Sequence, residues 1–245
     1  MARNYRHTRL PPPYLKRIWI DENEAVDCTA YPFCLPMFRE PGFELEFETP
    51  VTIIVGENGT GKSTLLEGIA VLAGFEEGGG GRGIGAVGFD ELTEAGGGRL
   101  ADALKASWLP KVGRGWFFRA ETFFSLARYI DGDFLSHSHA EGFMRFFEER
   151  CQRPGIFFFD EPESALSIAR QFHFLKLLKR MQVAGNSQVI MATHAPILMA
   201  LPEARLLRLE KYGLRPVSLE DTDHYRMMRE FILDPHGTVD MMLFE

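Results

Sequence analysis

The apolar residues of the chain form short unbroken runs, alternating runs and runs spaced by three or four positions. Short, nearly unbroken runs occur at 51–55, 156–159 and 188–192. Runs of this length are typical of strands that are buried on both faces of a parallel sheet. Spacings of three and four through 167–181 indicate an amphipathic helix that covers such a sheet. The pattern therefore predicts an α/β fold with a mainly parallel core sheet flanked by helices.

Alternating and hairpin-like segments predict antiparallel strands at the margin of this sheet. Residues 43–48 alternate apolar and acidic side chains with the period of two of a half-buried strand, and residues 14–20 predict a first strand. Two apolar stretches, 206–209 and 214–217, are separated by a glycine-containing turn and predict a terminal hairpin. The expected fold therefore includes an antiparallel β edge.

A glycine-rich loop lies between the strand predicted at 51–55 and the helix predicted to follow it. Strand, glycine loop and helix come in the order that a phosphate-binding P-loop needs. The alternative is a glycine-rich turn before an ordinary buried helix, and the correct flanking elements disfavour it. The loop residues that are predicted to bind nucleotide are Gly56, Glu57, Asn58, Gly59, Thr60, Gly61, Lys62, Ser63 and Thr64.

The chemistry of this loop predicts a nucleoside triphosphate as its ligand. The glycines allow backbone conformations that turn successive N–H groups inward, at the positive end of the following helix. Lys62 is then placed to reach the β and γ phosphates, and the Ser63 hydroxyl is placed to ligate Mg²⁺. A nucleoside triphosphate and Mg²⁺ are the expected ligands.

Polar residues end two of the buried strands. Asp160 and Glu161 follow the run 156–159, and two carboxylates are costly there unless a metal, a water or a donor meets them. The alternative is an acidic pair at the start of a helix, but beside a P-loop a Mg²⁺-binding role for Asp160 is favoured. His194 follows the strand at 188–192, where open α/β sheets bind their ligands, so function is favoured over packing.

Composition and charge limit the classes of protein to consider. The chain has 245 residues, of which 45% are hydrophobic and 25% charged, which suits one large buried core. No apolar run approaches the roughly 18 residues that a membrane span needs, and the basic N-terminus does not resemble a secretory leader, so we expect a cytoplasmic protein without membrane insertion. Three scattered cysteines indicate neither disulfides nor a zinc site. The net charge of -7 gives no global attraction for nucleic acid, so contact with nucleic acid would need a local basic patch.

The domain organisation follows from these elements. Residues 1–13 are predicted to be a mobile basic arm, and residues 14–235 a single nucleotide-binding domain. Within that domain we expect a glycine-rich flexible insertion at 75–115 and a reduced helical subdomain at 122–150. Residues 236–245 are left as a C-terminal tail.

Three motifs, taken together and in order, resemble those of ABC-type ATPases, and within them small stand-alone ATPases related to the heads of chromosome-maintenance and DNA-repair proteins. The motifs are G-E-N-G-T-G-K-S-T from Gly56, F-F-F-D-E-P-E-S-A-L from Phe157 and A-T-H-A-P from Ala192. The resemblance spans Phe43 to Leu233. It implies a P-loop NTPase fold of the ABC type with a very short helical subdomain.

The resemblance implies a role for each matched residue. Lys62, Glu161 and His194 match catalytic positions: Glu161 is the carboxylate that orients or deprotonates the attacking water, and His194 is the switch histidine that contacts the γ-phosphate. Ser63 and Asp160 match the residues that hold Mg²⁺.

Two further positions match the family less well. Glu121 falls near the position of a nucleotide-contacting glutamine, and Ser138 matches the first residue of the S-G-G-Q signature, which in the family completes the nucleotide site of the opposite subunit. His139 and Ala140 replace the two glycines of that signature, and Glu141 replaces its glutamine. On local pattern alone, the capped start of a helix is the favoured interpretation of residues 138–141.

The function implied is Mg²⁺-dependent ATP binding and hydrolysis that drives head-to-tail homodimerisation, with the output passed to a separate effector protein in DNA repair or anti-phage defence. An ATP-binding switch or scaffold with negligible turnover is the alternative, motivated by the altered signature. An ATPase subunit of a transporter is the third interpretation. Only 17 positions separate Glu121 from Ser138, which leaves little room for the helical region that contacts a membrane partner.

Overall fold

The computed structural model describes residues 10–21, 26–39, 42–82, 84–85, 96–122 and 139–244. Its strands are β1 (Leu15–Ile20), β2 (Glu44–Glu46), β3 (Val51–Val55), β4 (Gly80–Gly81), β5 (Ile84–Gly85), β6 (Leu104–Trp108), β7 (Gly115–Arg119), β8 (Gly155–Asp160), β9 (Ser187–Ala192), β10 (Arg205–Glu210) and β11 (Gly213–Pro216). Its helices are α1 (Lys62–Leu72), α2 (Gly96–Ala103), α3 (His139–Arg150), α4 (Ile168–Ala184), α5 (Pro196–Met199), α6 (Asp223–Leu233) and α7 (Pro235–Phe244).

An eight-stranded sheet forms the centre of the molecule, in the order β11-β10-β3-β9-β8-β7-β4-β5. The strands from β10 to β7 in this order are parallel, whereas β11, β4 and β5 pair antiparallel at the two ends. The predicted α/β fold with a mainly parallel sheet and antiparallel strands is confirmed. The predicted terminal hairpin is β10 and β11.

Both faces of the sheet are covered, as the unbroken apolar runs predict. On one face, Phe157 and Phe159 of β8 pack with Phe147 of α3 and Phe174 of α4. On the other face, Phe158 belongs to a second core that includes residues of α1, α2, β1 and β6. Phe159 stacks on Phe118 of β7, with ring centroids 4.8 Å apart.

A smaller antiparallel sheet, in the order β2-β1-β6, lies over the α1 side of the molecule. The pairing of β1 with β2 is the antiparallel edge predicted from residues 14–20 and 43–48. Buried Gln188 of β9 ties this sheet to the core: its Oε1 accepts from the N–H groups of Tyr14 and Leu15 at 2.8 Å each, and its Nε2 donates to the Leu15 carbonyl.

Part of the segment predicted to be a flexible insertion, 75–115, is regular structure. Helix α2 packs on α1, and β6 pairs with β1 along its length. Glycine has a steric role at the helix contact: a Cβ on Gly68 would lie 2.7 Å from Leu100 Cδ2, and a Cβ on Gly97 would lie 2.7 Å from Glu67 Cβ. The glycines of this region therefore allow two helices to approach closely, which local composition does not reveal.

Other predicted boundaries differ at the ends of elements. Residues 235–244, predicted mostly as a tail, form helix α7. In the segment predicted as a reduced helical subdomain, 122–150, the structure describes Thr122 and α3, and residues 123–138 lie outside the described part of the chain. Most of the predicted basic arm, residues 1–9, is also outside it. Among the described residues, no helix is long and apolar enough to cross a membrane.

Candidate functional site

The glycine-rich loop joins the end of β3 to the start of α1, as predicted. Gly61 precedes the helix with φ +98, a left-handed conformation that glycine adopts without steric cost. A Cβ at this position would also lie 2.8 Å from Leu35 Cδ1 and from Met37 Cε, since the 3₁₀ turn Pro36–Phe38 packs against the loop. The loop is thus held from outside by apolar contacts, while Asn58 and Gly59 are exposed.

Lys62 lies at the first position of α1 and is buried. Its Nζ donates to the carbonyl of Glu57 at 2.9 Å, across the loop. Burial lowers the pKa of Lys62, and the carboxylates of Glu161 and Asp160 oppose that shift. The Lys62 ammonium therefore interacts electrostatically with these carboxylates, and a bound phosphate would add further negative charge near it. Two hydroxyls of the loop are also hydrogen-bonded: Thr60 Oγ1 donates to the Glu57 carbonyl at 2.8 Å, and Thr64 Oγ1 pairs with the Tyr31 hydroxyl.

Ser63 and Asp160, the predicted Mg²⁺ ligands, meet at the carboxyl edge of the sheet. The Ser63 hydroxyl donates to Asp160 Oδ1 at 3.0 Å, although the two residues are 97 positions apart. Burial raises the pKa of Asp160 to about 6, against the lowering effects of Arg119 and of the Ser63 hydrogen bond. A hydroxyl and a buried carboxylate are hard oxygen ligands, and a buried carboxylate gains from a nearby cation, so this pair fits Mg²⁺.

Glu161 directly follows β8 and has φ +46 and ψ +52, a left-handed conformation that is rare for residues with a side chain. Its N–H donates to the Ala192 carbonyl at 3.0 Å, and its own carbonyl accepts from the Ser164 hydroxyl at 2.7 Å. Such a conformation costs about 1–3 kcal/mol and is found most often at functional sites. Here it turns the chain sharply, so that the carboxylate of Glu161 faces His194.

His194 follows β9, and three contacts define its position. Its N–H donates to Glu163 Oε1 at 2.6 Å, and its Nδ1 lies 2.9 Å from His224 Nε2. Its Nε2 lies 3.4 Å from Glu161 Oε1 without hydrogen-bond geometry, and it is a buried nitrogen with no hydrogen-bond partner among the described residues. Burial, and then the Lys62 ammonium, lower the pKa of His194, which favours the neutral imidazole.

The register of the parallel strands explains why these residues meet. Asp160 pairs with Arg119 of β7 on one side and with Ala192 of β9 on the other. Glu161, which follows β8, and His194, which comes shortly after β9, therefore lie close together. Lys62 and Ser63 come from the helix that follows β3, on the far side of β9. Lys62, Ser63, Asp160, Glu161 and His194, all predicted from sequence, lie at this one edge.

Arg119, at the end of β7, is a site residue that the motifs did not indicate. Its Nη2 lies 2.7 Å from Glu67 Oε1 of α1 and 3.2 Å from Glu121 Oε2, and its Nε lies 3.8 Å from Asp160 Oδ2. Burial raises the pKa of Glu67 to about 7, although Arg119 opposes the shift. The only sequence signal for this cluster is a charged residue at the end of an apolar run.

The two weaker family matches have different outcomes. Glu121 has a side chain that is 80% exposed, and it reaches the Mg²⁺ pair only indirectly, through Arg119. Ser138 lies just before α3 and outside the described residues, so its predicted role in a second subunit stays a prediction. The sequence does not single out Glu163 and His224, which contact His194: Glu163 is only one member of its motif, and His224 lies in a predicted terminal helix.

Comparison with protein families gives two matches, and both fall on the site. Residues 37–99, which contain the glycine-rich loop, match a family described as an AAA domain. Residues 147–200, which contain Asp160 through His194, match an AAA domain whose description also names the AbiEii toxin of a Type IV TA system. Both matches are to AAA domains, and with the strand order and the site geometry they agree with the P-loop fold predicted from the motifs. The AAA-domain matches support the P-loop ATPase resemblance predicted from the motifs, whereas the relation to chromosome-maintenance proteins stays a prediction.

Several solved structures are similar to the chain at low sequence identity. They include the SMC head domain from Thermotoga maritima (16% identity, 84% of this chain and 99% of that chain, TM-score 0.47). An SMC head bound to the C-winged helix domain of ScpA matches at 12% identity over 85% of this chain and 98% of that chain, with a TM-score of 0.46. A dimeric bacterial ABC transporter cassette matches at 14% identity over 74% of this chain and 91% of that chain, with a TM-score of 0.43. No curated protein matches the chain.

Proposed function

We propose that this protein binds ATP with Mg²⁺ and hydrolyses it, and that ATP binding closes two copies head to tail. One observation carries the proposal: the glycine-rich loop, a hydroxyl–carboxylate pair, a second carboxylate and a histidine meet at one edge of a parallel sheet. The Nε2 of that histidine is buried and has no hydrogen-bond partner in the described part of the chain. Ligands of open α/β proteins bind at this edge.

The residues of the chain divide the chemical work between them. Lys62 and the N–H groups of the loop bind the β and γ phosphates and neutralise their charge. Glu161 accepts a proton from a water molecule that attacks the γ-phosphorus in line, the bond from the γ-phosphorus to the oxygen bridging the β-phosphate breaks, and ADP leaves. His194 contacts a γ-phosphate oxygen through Nε2. Ser63 and Asp160 would hold Mg²⁺, which supplies further neutralisation of phosphate charge when bound.

Hydrolysis is tested by replacing the carboxylate next to the Mg²⁺ pair. Glu161→Gln keeps the size of the side chain but removes its basicity, so we expect kcat to fall roughly 100-fold or more, since general bases contribute factors of this order. Binding of ATP should persist. Glu149→Gln, on the solvent side of α3, is the matched control and should leave kcat unchanged. Wild-type protein without Mg²⁺-dependent turnover, or Glu161→Gln with normal turnover, would overturn the assignment.

Dimerisation is the second element of the proposal. Support comes from the exposure of the site: the Glu161 side chain is 42% exposed, and Asn58 and Gly59 of the loop also face solvent. Ser138 of the second copy, by its match to the family signature, would complete this open side. Light scattering on the Glu161→Gln variant with Mg²⁺ and ATP should give twice the monomer mass, and ADP should not. A monomer in both nucleotides would contradict closure.

An ATP-binding switch with negligible turnover is the alternative function. The observation that favours it is the replacement of the signature glycines by His139 and Ala140. The same preparation decides between the two: dimerisation with ATP and turnover near zero in wild-type protein would support the switch, whereas dimerisation with measurable turnover supports the ATPase.

The output is proposed to pass through a separate effector protein, in anti-phage defence or DNA repair. The family match at 147–200, with its description naming a toxin of a TA system, supports defence more than repair. Capture of an effector by the Glu161→Gln variant with ATP, but not with ADP, is the expected result. A DNA shift assay with single- and double-stranded substrates separates the two processes. DNA repair predicts an ATP-dependent shift by this chain, whereas defence through an effector does not require one.

A further inference from the structure

His224 lies beside the candidate site but belongs to no motif. It is the second residue of α6, a helix whose N-terminus is capped by Thr222, which accepts from the N–H of Tyr225 at 3.4 Å. The rings of His224 and His194 lie 4.8 Å apart at an angle of 60°. The contact is polar rather than stacked, because His224 Nε2 and His194 Nδ1 are 2.9 Å apart.

Two ring nitrogens at this distance share a single proton, and the proton can sit on either one. If His194 carries it on Nδ1, a neutral His194 presents a bare lone pair at Nε2. That lone pair would face the carboxylate of Glu161 at 3.4 Å and, with ATP bound, an anionic γ-phosphate. Two acceptors would then oppose each other at the buried Nε2 atom of His194, which is costly.

The other arrangement removes this conflict. If His224 donates from Nε2 to Nδ1 of His194, the proton of His194 is on Nε2, where it can be donated to a phosphate oxygen. The Nε2 atom is buried and lacks a hydrogen-bond partner among the described residues, so an N–H at this atom is available to donate to a ligand. Burial and Lys62 also lower the pKa of His194, which disfavours the doubly protonated ring.

We infer that His224 is a positioning residue: its hydrogen bond to Nδ1 holds His194 in the Nε2–H tautomer, so that His194 donates to the γ-phosphate. The inference rests on the proposed function, since it assigns a partner to a residue of the same site. It also connects the start of α6 to the part of ATP that is lost on hydrolysis. The N–H of His194 is fixed separately, by Glu163, so backbone and ring are each held by one side chain.

The test compares two substitutions of His224 that differ in one property. His224→Leu removes the donor, whereas His224→Gln retains an N–H at a similar distance from the backbone. Exposed His236 of α7 supplies the matched control, His236→Leu. Each is made in the Glu161→Gln background, where we expect turnover to be slowed, and the affinities for ATP and ADP are measured with Mg²⁺ by calorimetry.

We expect His224→Leu to reduce the preference for ATP over ADP about tenfold, in the range of one lost hydrogen bond to a charged group, with ADP affinity unchanged. His224→Gln should keep most of the preference, and His236→Leu all of it. In the Glu161-containing protein, His224→Leu should lower kcat/KM for ATP, and His224→Gln should keep most of it. An ATP preference that is equal in wild type and His224→Leu would overturn the inference, as would an equal loss in the Leu and Gln variants.

A second measurement is independent of turnover and of nucleotide. Nitrogen NMR of ¹⁵N-histidine-labelled protein distinguishes a protonated from an unprotonated ring nitrogen. Wild-type His194, assigned by the loss of its signals in His194→Gln, should show Nε2–H, and His224→Leu should shift it toward a mixture. An Nδ1–H ring in the wild type would refute the inference even if the protein is an active ATPase. Conversely, an Nε2–H ring in a protein that does not bind ATP would contradict the proposed function and leave the tautomer assignment standing.

Discussion

At the residue scale, Arg119 is the cation that makes two buried carboxylates compatible with one site. It lies 2.7 Å from Glu67 and 3.8 Å from Asp160, and its side chain is only 8% exposed. Removing one partner of a buried ion pair leaves an uncompensated charge and typically costs about 3–5 kcal/mol. We therefore expect Arg119→Met to lower the free energy of unfolding by about that amount, measured by urea denaturation at pH 8.

The double variant provides the control for this prediction. Glu67→Gln removes one of the carboxylates that Arg119 neutralises, so Arg119→Met should cost less in the Glu67→Gln background than in the wild type. A coupling energy near zero would show that Arg119 does not stabilise the fold through Glu67. An exposed pair such as Arg145 and Glu149 serves as a reference, since surface pairs contribute at most about 1 kcal/mol.

The same residues mark the limit of what the sequence predicts about the site. Lys62, Ser63, Asp160, Glu161 and His194 occupy fixed offsets in motifs, because phosphate and metal chemistry constrain their local geometry. Glu67 and Arg119 have no such offset: one is a polar position within a helix, and the other ends an apolar run 52 positions later. Their pairing arises from the packing of α1 against the sheet. His224 is similar, since a histidine near a helix start carries no local sign of its partner.

At the element scale, the pairing of β7 with β8 depends on Gly115. The two strands start their register at Gly115 and Ile156, and a Cβ on Gly115 would fall 1.6 Å from the Ile156 carbonyl oxygen. Its φ of +145 also disfavours a side chain. Because the strand must move to relieve the overlap, Gly115→Ala should lower the free energy of unfolding by about 3 kcal/mol, the upper range of overpacking effects.

Gly213→Ala separates the two causes of this loss. Gly213, the first residue of β11, has a φ of +115, but apart from its chain neighbours no atom of the described residues lies within 4 Å of the place where its Cβ would be. It should therefore show the conformational cost alone, about 1–2 kcal/mol. Equal unfolding free energies for the two variants, measured in urea under the same conditions, would mean that the close approach at Gly115 is tolerated.

The elements themselves were predicted unevenly, for a physical reason. The strands β3, β8 and β9 are apolar on both faces, so their sequences alone indicate burial. Helix α2 begins with three glycines and has low intrinsic helix propensity. It forms where close contact with α1 requires small residues, as Gly68 and Gly97 indicate. Composition predicted flexibility at this place because it reports local preference, and the stabilising contact is not local.

At the scale of the whole molecule, the site joins the carboxyl edge of the sheet to the C-terminal helices. Burial at this edge raises the pKa of three carboxyl groups: Glu67 to about 7, Asp160 to about 6, and Glu163 in the same direction. Each has a lower pKa in the unfolded chain, near 4. The folded protein therefore binds more protons than the unfolded chain between about pH 4 and pH 7. His194, whose pKa is lowered, acts in the opposite direction near pH 6.

The sign of the pH dependence follows from this difference in bound protons. When the folded state binds more protons, the free energy of unfolding falls as pH rises. The stabilisation by Glu67 and Asp160 is fully present below about pH 4 and is lost as pH rises through about 6 to 7, their folded pKa values, and the contribution of Glu163 changes in the same direction. We expect nucleotide-free protein at pH 8 to unfold at a lower urea concentration than at pH 6, when both are measured at the same ionic strength.

Glu67→Gln identifies the source of this effect, because Glu67 has the higher of the two pKa values and an amide does not titrate. The variant should show a smaller change in urea midpoint between pH 6 and pH 8 than the wild type, whereas Glu149→Gln on the surface of α3 should show the same change. Identical slopes in wild type and Glu67→Gln would mean that Arg119 keeps Glu67 ionised across this range. The buried cluster would then be a permanent ion pair, and the pH dependence of the nucleotide-free protein would have to come from Asp160 and Glu163.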